Sequence, residues 1–175
     1  AVQVPRLGSV PVEISAEIVE LRLAETFVIA RDAQDVAEVV QVAIEHDGRQ
    51  GRGEAAPIER YGETAQSALA FVRDHGALLG GDPFALEEIE TRLRAVPGEQ
   101  AAKAALDAAL HDLQGTLAGL PTWRLLGMPR TGPPTSWTVW LGDPDDMARR
   151  AEAAAPRFRR LKLKLGAGDG LDVAR

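Results

Sequence analysis

The sequence predicts an α+β first part, an antiparallel meander plus helices, followed by the opening of an α/β second part. Three observations carry this reading. Two runs of β-branched and long apolar residues in partial alternation lead up to the turn dipeptide Asp47-Gly48. Segments with apolar residues at helical spacing then occupy most of the stretch from 62 to 119. Beyond the Pro- and Gly-rich segment Met128 to Pro134 the order becomes strand, helix, strand.

Taken in order, residues 1–11 carry no strong period and read as a leader or tag remnant. The run VEISAEIVELRLA from Val12 suits a strand with one covered face. VAEVVQVAIEHD is a second strand, and RQGRGEAAP pairs back on it until Pro57 ends the pairing. A helix follows with Ala65, Leu69, Val72 and Leu79 on one stripe, and Gly80-Gly81 stops it. Asp82 and Pro83 are expected as N-cap and first-turn proline of a helix over FALEEIETRLRAV. The next helix, EQAAKAALDAALHDLQGTLAG, lines up Leu106, Leu110, Leu113 and Leu117 among alanines that favour helix and let a neighbour approach closely. PTWRLLG adds a short apolar turn. Residues 12–130 thus form the α+β part and 131–175 the α/β part, in which TSWTVWL is a strand, DPDDMARRAEAAAPR a helix, RRLKLKLG a strand, and GLDVAR the start of a further helix.

Composition removes several function classes. The 175 residues hold 20 Lys+Arg against 26 Asp+Glu, a formal charge of −6 that argues against a nucleic-acid partner. No run approaches the roughly 18 apolar residues of a membrane span, and no secretory leader is evident, so a cytoplasmic location is the default expectation. With no cysteine there is no disulfide and no thiolate-ligated metal.

The sharpest local feature is Arg160-Leu161-Lys162-Leu163-Lys164-Leu165. In a strand the leucines share one face and Lys162 and Lys164 the other, rooted about 6.6 Å apart. If that face is enclosed, desolvation and mutual repulsion favour a neutral amine, which is a base near neutral pH. If it is open, the same pattern is an edge strand with solvated lysines. Barrel architecture favours the first, because residues at the C-terminal ends of barrel strands are catalytic, and Lys164 precedes Gly166 and a loop. That loop, Gly166 to Leu171, lacks the last glycine of a dinucleotide fingerprint and any following Gly-Lys-Ser/Thr, so a flexible connection is expected rather than a phosphate cradle. Asp143, Asp145 and Asp146 read as a helix start. Lys103, Asp107 and His111 read as an ion-paired polar face.

Several motifs together resemble the enolase superfamily, in its muconate-lactonizing-type subgroup. They are Gly51-Arg52-Gly53-Glu54-Ala55-Ala56-Pro57, similar to G-x-G-E-A-x-P; the stretch Ala104 to Leu113 followed by Gly119-Leu120-Pro121 and Leu125-Leu126-Gly127; and Lys162-x-Lys164 at the end of a second barrel strand. Within the subgroup, Arg60-Tyr61-Gly62-Glu63-Thr64 and Thr135 to Val139 most resemble dipeptide epimerases of the L-Ala-D/L-Glu type. The resemblance implies an N-terminal capping domain and the start of a (β/α) TIM-type barrel, which reads as truncated after its second strand because such a barrel needs roughly 250 residues by itself. It implies an isomerase that removes the proton α to a carboxylate, with Mg²⁺ stabilising the enediolate. By the same resemblance Lys164 is the acid/base and Lys162 assists it. Thr138 contacts substrate, Arg31 binds an acidic substrate side chain, and Arg60 and Tyr61 belong to a loop capping the site. Glu54 is structural.

The metal ligands and an opposing lysine are expected beyond Arg175, so the residues given are expected to be inactive alone. The implied partner is a small carboxylate or dipeptide, with a homo-oligomer left open. Muconate cycloisomerase, o-succinylbenzoate synthase or N-acylamino acid racemase activity shares the scaffold and the lysine pair. A non-catalytic α+β interaction module with solvated lysines is the alternative from another class.

Overall fold

A computed structural model describes residues 12–30 and 32–174. The expected leader, 1–11, and Arg31 lie outside the described residues. Strands β1 (Glu13–Ile29), β2 (Asp32–His46) and β3 (Arg49–Ala55) form a three-stranded sheet in that order. The β2–β3 pairing is antiparallel, with Val40 opposite Ala55 and His46 opposite Arg49. Asp47 and Gly48 close it at φ 50° and 67°, the two positive φ values a tight hairpin turn requires. Alternation decides which face is covered: Val40, Val42, Ile44 and His46 are buried, while Gln41 and Glu45 are exposed.

The helices follow as α1 (Ala65–His75), α2 (Leu86–Ala95), α3 (Gln100–Ala118) and the short α4 (Thr122–Leu125). Thr64 caps α1 in a reciprocal box with Ser67. The stripe foreseen on α3 is the core of this part: Leu106, Leu110 and Leu113 are buried with Ala102, Ala105 and Ala109. Gly119 ends α3 in the left-handed conformation, at φ 66°. The core includes these residues together with Val40, Val42, Ile44, Phe71, Val72, Ile89 and Leu93. Gly51 and Gly53 face α3 so closely that an added Cβ would lie 2.2 Å from the Ala109 carbonyl oxygen and 2.0 Å from that of Ala105. Asp112 of α3 also accepts the Arg52 N–H at 2.9 Å. The glycines of the G-x-G-E-A-x-P motif therefore admit a helix backbone.

Two local expectations are corrected. Asp82 and Pro83 do not start α2; the Asp82 carboxylate accepts the Phe84 N–H at 2.8 Å and α2 begins at Leu86. Pro83 is held in that turn because its carbonyl accepts from the buried Gln114 amide at 2.6 Å. Asp107 and His111 meet at 3.5 Å as expected, but Lys103 does not join them: its ammonium donates to the Val96 carbonyl at 2.5 Å and lies 5.6 Å from the Phe71 ring centroid. The residues after Gly170 make one turn, with the Ala174 N–H on the Leu171 carbonyl, over the stretch read as the start of a further helix.

The chain divides into two compact units, Ala1–Glu20 with Glu38–Arg130, and Leu21–Ala37 with Thr131–Arg175. The second unit holds β4 (Ser136–Val139), α5 (Pro144–Ala154) and β5 (Arg160–Leu163), with β4 and β5 parallel. Asp143 caps α5 through the Asp145 N–H at 3.0 Å, and Pro144 occupies its first turn. This strand–helix–strand unit is the βαβ expected from the sequence.

Candidate functional site

In the β4–β5 register, Ser136 lies opposite Arg160, Trp137 opposite Leu161, Thr138 opposite Lys162 and Val139 opposite Leu163. Residues directly opposite in a sheet project to the same face, and the face changes with each step along the strand. Thr138 and Lys162 therefore share one face, and Val139 and Leu163 the other. The helix α5 packs against β4, where Val139 is fully buried and Met147 is 1% exposed. Thr138 and Lys162 stand on the side away from this crossover helix, which in a closed barrel is the interior. The Lys164 N–H donates to the Val139 carbonyl at 3.0 Å, so the ladder continues one step past β5. Lys164 then follows Lys162 on its face, at the C-terminal end of the strand. Lys164 is half-buried and Lys162 exposed. The leucine face of β5 is open, with Leu161 and Leu163 at 37% and 44% exposure.

The loop after Lys164 is tied down by its own carboxylates. Asp172 accepts the Gly166 N–H through both oxygens, at 3.0 and 3.1 Å, and Asp169 accepts the Leu171 N–H at 3.0 Å. Those two amides are occupied from within the loop, which gives the loop a defined closure.

The second unit also brings the tip of the β1–β2 hairpin to the ends of these strands. The Leu141 N–H donates to the Val28 carbonyl at 3.0 Å. Phe27 and Trp140 lie with ring centroids 6.4 Å apart. An added Cβ on Gly166 would sit 3.5 Å from the Ala30 methyl. The Arg150 guanidinium lies 4.4 Å from the Trp140 ring centroid and its Nε 3.8 Å from the Glu25 carboxylate. None of these contacts was visible in the sequence, where Trp140 reads only as a strand residue and Arg150 only as the polar side of a helix.

Of the residues singled out, Thr138, Lys162 and Lys164 come together on β4 and β5. Arg31 lies outside the described residues. Arg60 and Tyr61 belong to the first unit, in a 3-10 turn over Glu59–Tyr61, both exposed and with the guanidinium 5.5 Å from the tyrosine ring centroid. Their neighbours in the same motif have structural work: Glu63 accepts the Gln100 and Ala101 N–H groups at 2.6 and 3.1 Å, capping α3, and Thr64 caps α1. Asp143, Asp145 and Asp146 form the start of α5, with Asp146 paired to Arg149. Among the described residues no group of three or more His, Asp or Glu side chains is placed to hold a metal ion. The described residues by themselves therefore do not fit a Mg²⁺ site.

Residues 12–127 match the N-terminal domain of the mandelate racemase / muconate lactonizing enzyme family. The chain belongs to this family. Its place in the enolase superfamily makes the three-stranded sheet and the helices α1 to α4 the superfamily's N-terminal capping domain. This family member is 37% identical over 149 residues to an L-Ala-D/L-Glu epimerase of Bacteroides thetaiotaomicron, a match covering 84% of the chain and 39% of that relative. The L-Ala-D/L-Glu epimerase of Bacillus subtilis, solved as a substrate-liganded complex, superposes with TM-score 0.85 at 32% identity, over 93% of this chain and 47% of that one. The dipeptide epimerase of Enterococcus faecalis, complexed with Mg and L-Leu-L-Tyr, gives TM-score 0.83 at 35% identity, over 94% and 47%. The chain thus spans less than half the length of each of these relatives. No helix among the described residues is long and apolar enough to cross a membrane.

Proposed function

We propose that this family member forms the capping domain and first barrel strands of a dipeptide epimerase acting on an Ala-Glu type substrate. The observation that carries the reading is the placement of Thr138, Lys162 and Lys164 on the face of two parallel strands away from their crossover helix, with Lys164 at the C-terminal end. A carbon next to a carboxylate gives up its proton only to a base held against it, as its C–H electrons pass into an enediolate. Lys164, acting as the base, takes that proton, forming an N–H bond as the C–H bond breaks. The Lys162 ammonium opposes the developing negative charge and orients the carboxylate, and the Thr138 hydroxyl contacts substrate. Arg31 pairs with the acidic side chain of the substrate, and Arg60 and Tyr61 belong to a loop over the site.

Epimerization also needs a proton from the opposite side of the carbon, and Mg²⁺ dependence is part of the same proposal. Both the acid and the metal ligands are proposed to lie in sequence following Arg175.

The test is solvent exchange. The full-length protein carrying this segment is incubated with L-Ala-L-Glu in D₂O, and deuterium at the glutamate α-carbon is read by mass spectrometry or NMR. Deuterium incorporation with appearance of the D-Glu epimer supports the reading. No exchange, with turnover of a muconate or an N-acylamino acid instead, replaces it with another activity of the family.

A further inference from the structure

Two arginines stand side by side in α5 and behave differently. Arg149 has a 69% exposed side chain and pairs with Asp146 one turn back, as surface residues of a helix commonly do. Arg150 turns inward, with a side chain 26% exposed and Nη1 buried without a hydrogen-bond partner. What holds it there is the Trp140 ring, 4.4 Å below the guanidinium, and the Glu25 carboxylate at 3.8 Å. The chain makes room for it: a Cβ on Gly142 would lie 3.0 Å from Arg150 Nη1. A cation over an indole face, partly removed from water, is among the stronger contacts of its kind.

These groups come from three places. Glu25 and Phe27 are on the β1 arm of the hairpin tip, Trp140 directly follows β4, and Arg150 is on α5. Phe27 meets the same indole that Arg150 covers, at a centroid distance of 6.4 Å. The backbone bond from Leu141 to Val28 lies beside this stack. The Leu141–Val28 backbone bond and the approach of Ala30 to Gly166 are further ties between the tip and the strand ends.

We propose that Arg150 is a positioning residue, which clamps the 21–37 hairpin tip onto the end of β4 through Trp140, Phe27 and Glu25 and so sets how well the protein holds its substrate. Arg31 falls within 21–37 in sequence, so the consequence for substrate rests on the dipeptide reading; the clamp itself does not. Arg150 touches no reacting atom, and its loss acts on binding more than on the chemical step.

The experiment compares the full-length protein with Arg150→Met and Arg150→Lys, reading amide hydrogen exchange by mass spectrometry and steady-state kinetics with L-Ala-L-Glu. Arg150→Met is expected to lower protection of amides in 21–37 about tenfold, with 100–118 unchanged. KM is expected to rise about tenfold with kcat within about twofold, because uniform binding is what is lost. Arg150→Lys keeps the charge over the ring and is expected to recover most of both effects. Unchanged protection in 21–37 overturns the clamp, whatever the activity. A loosened hairpin with unchanged KM overturns its role in holding substrate. A loosened hairpin in a protein whose unmodified form turns over no dipeptide supports the clamp and overturns the dipeptide reading. Should Arg150→Met not fold, Glu25→Gln removes the other pole of the stack from an exposed position, and the same exchange comparison decides.

Discussion

The Cβ that Gly53 lacks would fall 2.0 Å from the carbonyl oxygen of Ala105. No real side chain fits there, so β3 and α3 meet backbone against backbone, and Ala105 and Ala109 on the helix side keep the approach open. Gly51 repeats the arrangement one helical turn on, 2.2 Å from the Ala109 carbonyl oxygen. Gly53→Ala is expected to destabilise the first unit by about 3 kcal/mol, since an obstructed backbone yields less readily than a side chain. Urea unfolding followed by far-UV circular dichroism checks this. A loss under about 0.5 kcal/mol, the range of an ordinary surface substitution, would contradict the close packing.

Glu63 is the second structural prediction. Glu99, just before α3, sits at φ 51°, and its side chain makes no cap bond there. The Glu63 carboxylate supplies the missing acceptor from 37 residues away, taking the Gln100 N–H at 2.6 Å and the Ala101 N–H at 3.1 Å. A charged acceptor at a helix start combines capping with a favourable interaction with the helix dipole. Glu63→Ala is expected to cost about 1–2 kcal/mol, and Glu63→Gln less, because its amide oxygen still accepts. Denaturant midpoints of the three proteins should fall in that order.

Features set by spacing within one element were legible in the sequence. The α3 stripe, the Asp47-Gly48 turn, the Asp143 cap and the lysine alternation all depend on neighbours a few residues apart, and a helix or strand period reports those directly. Features set by partners far along the chain were hidden. Asp82-Pro83 has the local form of a helix start, yet Gln114, 31 residues away, fixes Pro83 in a turn. Lys103 has the right spacing for Asp107, yet the Val96 carbonyl and the Phe71 ring claim it. The grouping of 21–37 with 131–175 depends on Phe27, Trp140 and Arg150 meeting, which no period within one element encodes. At the candidate site the lysine pair was visible because alternation alone sorts its faces; the βαβ reading left open what joins the hairpin tip to it.

The closure of the loop after Lys164 yields a third prediction. Asp172 accepts the Gly166 N–H with both oxygens, and a charged acceptor makes a stronger bond than a neutral one. Asp172→Ala frees the backbone two residues beyond the proposed base. Exchange at the Gly166 amide is expected to rise about tenfold, as a charge-assisted bond of about 1.5 kcal/mol would require. In the full-length protein kcat should fall while the fold, judged by circular dichroism, is unchanged. An unaltered Gly166 exchange rate would show that the carboxylate does not hold the loop.

The remaining prediction separates Lys164 from Lys162, which the register places on one face. A group that takes the α-proton is needed for exchange from one epimer in particular, because it stands on one side of the carbon. Lys164→Ala in the full-length protein is expected to lower deuterium incorporation at the α-carbon of one epimer of Ala-Glu by about 10³-fold, within the range that a positioned base contributes. The other epimer, whose proton leaves from the opposite side, should retain measurable exchange. Lys162→Ala removes charge from the neighbourhood of the substrate carboxylate without removing the base, so it is expected to slow exchange of both epimers together. Thr138, directly opposite Lys162, should resemble Lys162 in this respect: Thr138→Val keeps the shape, removes the hydroxyl and raises KM for both. If Lys164→Ala slowed both epimers equally, Lys164 would be acting through charge rather than as the base.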